Sequence, residues 1–434
     1  MRKLLLFILA LPLFAAAQKT EINADSAKYA GFVAYYTKVI AQTPTDATAY
    51  YKRGNAKLNL DNNVGAIPDF SQAIKIDPKN EDAWLDRGRA KYALKDDKGA
   101  IEDYTQALVL KPTSAVAYYN RGLAKRHLED LKGAIADYTQ SLAIDPSDED
   151  AFDERGVAKK HLGDFKGAIA DYTQAIALNS KTSRHYYNRG LAKNAMKDYQ
   201  GALEDFNIAI SLSPRDADAY YSRGDAKRHL DNNKDAIDDY TQAISIDPDF
   251  ADAYNNRGLA KYNLQDYVGS IADDNKALAI DNKYANAFYN RGRANDKLSN
   301  FNDAVDDFSQ YIKLEPKDPD GYFKRGNGKF SLEDYKNAID DFNITISLDD
   351  KYTDAYFNRG LSKRHLEDYK GAVADYNTVI GLDPKYADAY NNRGYAKHLL
   401  NDPTACADFK KALELGSQYA SDNIDKYCKS VSTQ

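Results

Sequence analysis

"YYNRGLAKRHLEDLKGAIADYTQSLAIDP", residues 118–146, reads as parts of two helices and the turn between them. The first helix is expected from about Ala115 to Leu128, and Glu129-Asp130 starts the turn. The second is expected from about Lys132 to Ile144, and Asp145-Pro146 ends it because proline cannot continue a helix. Within it Ala134, Ile135, Tyr138, Ser141 and Leu142 recur at helical spacing and mark a buried stripe. Nothing in the stretch alternates as a strand does. One feature breaks the pattern: Arg121 and Lys125 lie one helical turn apart, where apolar residues are expected.

The Arg-Gly pair returns. Gly54, Gly88, Gly122, Gly156, Gly190, Gly224, Gly258, Gly292, Gly326, Gly360 and Gly394 are each 34 residues apart, and each follows an arginine. A fixed period of this length marks stacked repeats, since one helix pair cannot bury its own apolar face. In the third copy Tyr118, Gly122, Ala134, Tyr138 and Pro146 hold the aromatic, small and proline positions of a 34-residue helix-turn-helix. In this the chain resembles the tetratricopeptide repeat (TPR) family. The resemblance implies an all-α, right-handed α-solenoid of eleven units, whose first helices line a concave face that takes extended peptides or helices.

The ends differ from the repeats. Arg2 and Lys3, the apolar run Leu4 to Phe14 and the small residues Ala15-Ala16-Ala17 have the form of a signal peptide, residues 1–17, cleaved after Ala17. That run is too short for a membrane span, so no membrane anchor is expected. Residues 18–46 hold a half-repeat cap, with a helix from Ala27 to Gln42. The eleven repeats fill 47–416, the last one short by a residue around Asp402-Pro403. Residues 417–434 hold a capping helix from about Ser417 to Tyr427 and a tail. Cys406 takes the slot of Ile135, and Cys428 falls on the capping helix. Export favours a disulfide between them over two buried thiols.

The two cations have a counterpart. Sixteen residues after the arginine stands an aspartate: Asp69, Asp103, Asp137, Asp171, Asp205, Asp239, Asp273, Asp307, Asp341 and Asp375, with Asp408 in the shortened copy. The lysine is present in ten copies, and Asn295 replaces it in the other. Arg–Asp bridges such as Arg121 with Asp137 and Arg189 with Asp205 are therefore expected along the helix seam, because unpaired buried charges are not tolerated. A basic groove for anionic ligands is the alternative reading.

The variable positions of the first helices are the candidate ligand surface. One row holds Tyr51, Tyr119, Tyr187, Tyr221 and Tyr289, with Asp153, Asn255 and Asn391 as departures. The next holds Asn120, Asn188, Asn256 and Asn290, and a turn further come Arg126 and Arg228. Asparagine can bond a peptide backbone in both directions, tyrosine offers a flat apolar face, and arginine can hold carboxylates. Packing between repeats is the competing reading for the tyrosines. The carboxylate clamp of some TPR proteins is not carried over: Lys52 and Asn55 begin one, but Asp86 and Arg89 follow.

No catalytic motif or cofactor signature occurs. His127, His161, His229 and His365 would lie about 8–10 Å apart on stacked repeats, too far to share a metal ion. The net charge is −6, and −8 without Arg2 and Lys3, which argues against nucleic acid as partner. The expectation is a non-enzymatic scaffold, periplasmic or secreted, holding a protein or peptide. The alternative is a carbohydrate- or cell-wall-binding solenoid using the Tyr and Asn rows.

Overall fold

The computed structural model describes residues 11–428. Most of the expected leader lies outside them, as does the tail beyond Cys428. The described residues form 24 α-helices and no strand. After an N-terminal helix, Leu11–Gln42, come eleven antiparallel pairs, from Ala47–Leu58 with Asn63–Ile76 to Ala387–Leu399 with Ala405–Glu414. A last helix, Ala420–Tyr427, follows. The N-terminal helix thus starts well before Ala27, and the last begins three residues later than expected. No helix among the described residues is long and apolar enough to cross a membrane.

Each pair is built by the same local chemistry. In repeat 3 the helix Ala115–His127 ends at Leu128, and Glu129 takes a left-handed turn at φ 61°. The Asp130 N–H donates to Lys125 O at 2.9 Å, closing the helix end. The Asp130 side chain then caps Leu131–Ile144 by accepting from Gly133 N at 3.0 Å. Gly122 lets the two helices close: a Cβ there would lie 2.7 Å from the Tyr138 ring. Tyr138 and Ala134 are fully buried in this contact. The helix Asn63–Ile76 runs on through Pro68.

The chain divides into two compact units, Met1–Pro214 and Arg215–Gln434. The first contains the N-terminal helix and repeats 1–5, the second repeats 6–11 and the last helix. Within each unit, the first helices of successive repeats touch one another and the second helices do not. The first helices therefore form the inner side of each unit, and the second helices splay apart on the outer side.

Candidate functional site

The outer seam is where the arginines point. Arg121 donates from Nε and Nη2 to the two oxygens of Asp137, at 2.9 and 2.7 Å, and Lys125 Nζ lies 2.8 Å from Oδ2. Asp137 is 3% exposed, so two cations and a carboxylate share a largely dry seam. Arg189 holds Asp205 the same way, at 3.0 and 2.6 Å. The guanidinium also lies against an aromatic ring three residues before it, Tyr118 for Arg121, at 5.5 Å. Its remaining arm reaches the preceding repeat: Arg121 Nη1 donates to Thr105 Oγ1 at 3.1 Å. In the second unit Arg257 does so to Thr241 at 3.0 Å and Arg393 to Asn377 at 2.7 Å. Within each unit these arginines thus span the gap between successive second helices. This third contact was not anticipated. Its signal was a Ser, Thr or Asn two residues after each aspartate of the preceding repeat.

The inner face carries the variable rows. The tyrosines are half-buried and packed on rings of their own second helix: Tyr119 on Tyr138 at 5.9 Å, Tyr187 on Phe206 at 6.0 Å, Tyr221 on Tyr240 at 5.8 Å and Tyr289 on Phe308 at 5.9 Å. Tyr51 packs on Phe70 and donates to Asp86 Oδ2 at 3.2 Å. The asparagines mostly join neighbouring first helices. Asn188 donates to Asp153 at 3.3 Å, Asn256 to the Tyr221 hydroxyl at 2.9 Å and Asn290 to Asn255 Oδ1 at 3.0 Å. Asn55 is likewise spent on Asp86, at 3.1 Å. Arg228 pairs with Asp225 at 2.6 Å. Arg126 meets Glu154 of the next repeat at 3.1 Å.

Repeats 3–5 differ from this ladder. Asp153 replaces the row tyrosine, and His185 replaces the alanine found at Ala117 and Ala151. Both are fully buried, with His185 Nδ1 2.9 Å from Asp153 Oδ1. Arg184 reaches Asp150 at 2.6 Å and Asp153 at 3.1 Å. Burial pushes the Glu154 carboxyl up, and the Arg126 and Arg184 guanidiniums oppose it. Burial pushes the Lys160 ammonium down, against the pull of Asp153. Several buried polar atoms here have no hydrogen-bond partner: Asn120 Nδ2, Asn194 Oδ1 and the Tyr172 hydroxyl.

Two of the four histidines pair with rings: His127 stacks on Tyr92 at 4.9 Å and His365 on Tyr335 at 4.4 Å. Among the described residues no three acid, imidazole or thiol groups are placed to hold a metal ion. Cys406 and Cys428 form a disulfide, with Cα atoms 5.8 Å apart.

Sequence models described as "TPR repeat" match residues 88–126, 224–265 and 362–401, and models described as "Tetratricopeptide repeat" match 47–80, 115–148, 154–217 and 285–318. The chain belongs to the tetratricopeptide repeat family. Curated protein sequences yield no match. Among solved structures, the chain is similar to the MamA protein, at 29% identity over 39% of this chain and 93% of MamA, with a TM-score of 0.37. It is similar to YrrB, described as a TPR protein with an unusual peptide-binding site, at 24% identity over 42% of this chain and 95% of YrrB, TM-score 0.39. A tetratricopeptide repeat protein from Parabacteroides merdae matches at 20% identity over 57% of this chain and 98% of its own, TM-score 0.44.

Proposed function

We propose that the protein is a non-enzymatic scaffold that holds an extended segment of a partner protein on the inner face of repeats 3–5. The observation that carries this reading is the set of unspent polar atoms there. Leaving a buried donor or acceptor unpaired costs about 1–3 kcal/mol. Asn120 offers a donor and Asn194 an acceptor on the same inner face. A peptide backbone supplies both complements along its length. Arg126 and Lys160 beside them would set a preference for acidic side chains. The carbohydrate reading is weaker, because the row tyrosines are half-buried against rings of their own second helices rather than free to stack on a sugar.

We also propose export, supported by the form of residues 1–17 and by the Cys406–Cys428 disulfide. The N-terminus of the mature chain, expected at Gln18, tests it.

A photo-crosslinker at Asn120, with a control at exposed Lys132 on the outer side, tests the groove in native cell envelopes. The groove reading expects peptide adducts at position 120 and none at 132. Equal labelling at both positions would overturn it.

A further inference from the structure

Repeat 8 departs from the charge pattern of the other ten. In those, a lysine ammonium lies 2.7–2.9 Å from Oδ2 of the buried aspartate. In repeat 8 Asn295 stands there and donates to Asp307 Oδ2 at 3.2 Å. The amide brings no charge. Arg291 crowds in instead, with Nε 3.1 and 3.0 Å from the two oxygens and Nη2 2.5 Å from Oδ1.

Two more changes fall on the same spot. Asp303 stands where repeat 3 has Gly133, and Asp306 where it has Ala136. On one helix Asp303, Asp306 and Asp307 share a face. Repeat 6 carries acids at both positions, Asp235 and Asp238, and repeats 2, 5 and 9 carry one at the second, Glu102, Glu204 and Asp340, but these four repeats keep Lys91, Lys193, Lys227 and Lys329. Repeat 8 alone gains acids and loses its lysine. The shorter Asn295 helps to line an open cleft of about 340 Å³, together with Ile271, Asn275, Arg291 and the three aspartates. One guanidinium thus faces three carboxylates.

We infer that this cleft is a docking pocket for a primary ammonium, the lysine side chain of a partner protein, seated where the chain's own lysine sits in the other ten repeats. The recognition chemistry is already present in the molecule: the same aspartate position binds an ammonium ten times over. A metal ion fits less well, since no three acid groups among the described residues converge as a cage. The lysine stem has an apolar wall in Ile271, and the ammonium has Asp303 and Asp307 as acceptors. The pocket opens on the outer seam, so it does not depend on the inner-face reading.

The test is fluorescence polarisation at low salt with a labelled Gly-Ser-Lys-Ser-Gly peptide and its norleucine counterpart. Against the full chain the lysine peptide is expected to bind about tenfold tighter. Asn295→Lys, which supplies the internal ammonium, should abolish that preference. Asp303→Asn with Asp306→Asn, both exposed, should reduce it without disturbing the fold. No preference in the parent, or the same preference in Asn295→Lys and in the double variant, would overturn the proposal.

Discussion

Arg121 and Asp137, sixteen residues apart on the two helices of one repeat, meet through two hydrogen bonds of 2.9 and 2.7 Å. Fork-to-fork pairing fixes both distance and orientation, so it admits one register of the two helices. Lys125 adds a second cation to the same carboxylate at 2.8 Å. Asp137→Ala would strand two cations in a seam where Arg121 is only 17% exposed. The expected cost is about 3–5 kcal/mol. Replacing all three charges by apolar residues, Arg121→Met and Lys125→Met with Asp137→Leu, should cost much less. Melting curves of the three proteins decide this. Equal melts for the parent and Asp137→Ala would mean the bridge carries no stability.

A second expectation concerns pH. Asp274 stands where other repeats have a buried aromatic, and it is 0% exposed. Burial pushes its carboxyl up to about 8, helped by neighbouring Asp273 and opposed by Arg291. The folded state therefore holds a proton that the unfolded chain gives up near 3.8. Stability from this group is full below about pH 4, declines as pH rises, and is gone above about 8. The loss is on the order of a few kcal/mol. A repeat array unfolds in parts, so amide exchange in residues 251–280 is the proper readout. That segment should open more readily at pH 8.5 than at pH 5. Asp274→Asn should flatten the difference; an unchanged pH dependence in that variant would assign it elsewhere.

Much of this architecture was legible in the sequence because it repeats. The helix pairs, the turns and the sixteen-residue Arg–Asp spacing are all events within one unit, and the period displays each of them many times. What crosses from one unit to the next was harder to see. The Arg121–Thr105 bond joins different repeats, and only the recurrence of small polar residues pointed to it. The asparagine row suggested ligand contacts, yet Asn256 and Asn290 spend their amides on the neighbouring first helix. A first-helix aspartate also makes such a contact: Asp320 accepts at 2.6 Å from Tyr352, which stands at the head of the next first helix. The Asp153–His185 pair was half visible: Asp153 stood out in the tyrosine row, but nothing drew attention to His185 as its partner.

That pair makes a third prediction. His185→Ala restores the residue of other repeats but leaves a void and a buried Asp153 without its imidazole, at a cost of about 2–4 kcal/mol. Asp153→Tyr alone forces a ring against His185 and should cost about 1–3 kcal/mol. The double variant recreates the arrangement of repeat 3 and should recover most of both losses. A double-mutant cycle by thermal melting measures the coupling. Simple additivity would show that the two side chains do not depend on each other.

The fourth prediction concerns the C-terminal end. The last helix covers repeat 11 through Tyr427, stacked on Phe409 at 6.1 Å and tilted over His398 at 4.2 Å. Asn423 donates to Asn391 at 2.8 Å, and Ser417 donates to Asp388 at 3.0 Å. These contacts are few, and the helix has eight residues, too short to hold itself. The Cys406–Cys428 bond closes a separation of 22 residues and so contributes about 3 kcal/mol by limiting the unfolded chain. Reduction should therefore release residues 417–428 first. Amide exchange there should speed up by roughly a hundredfold, consistent with about 3 kcal/mol, while repeats 1–5 stay protected. Because each repeat leans only on its neighbours, the loss should spread no further than repeat 11 at moderate temperature. Exchange that speeds up evenly along the whole chain would instead show that the staple sets the stability of the entire array.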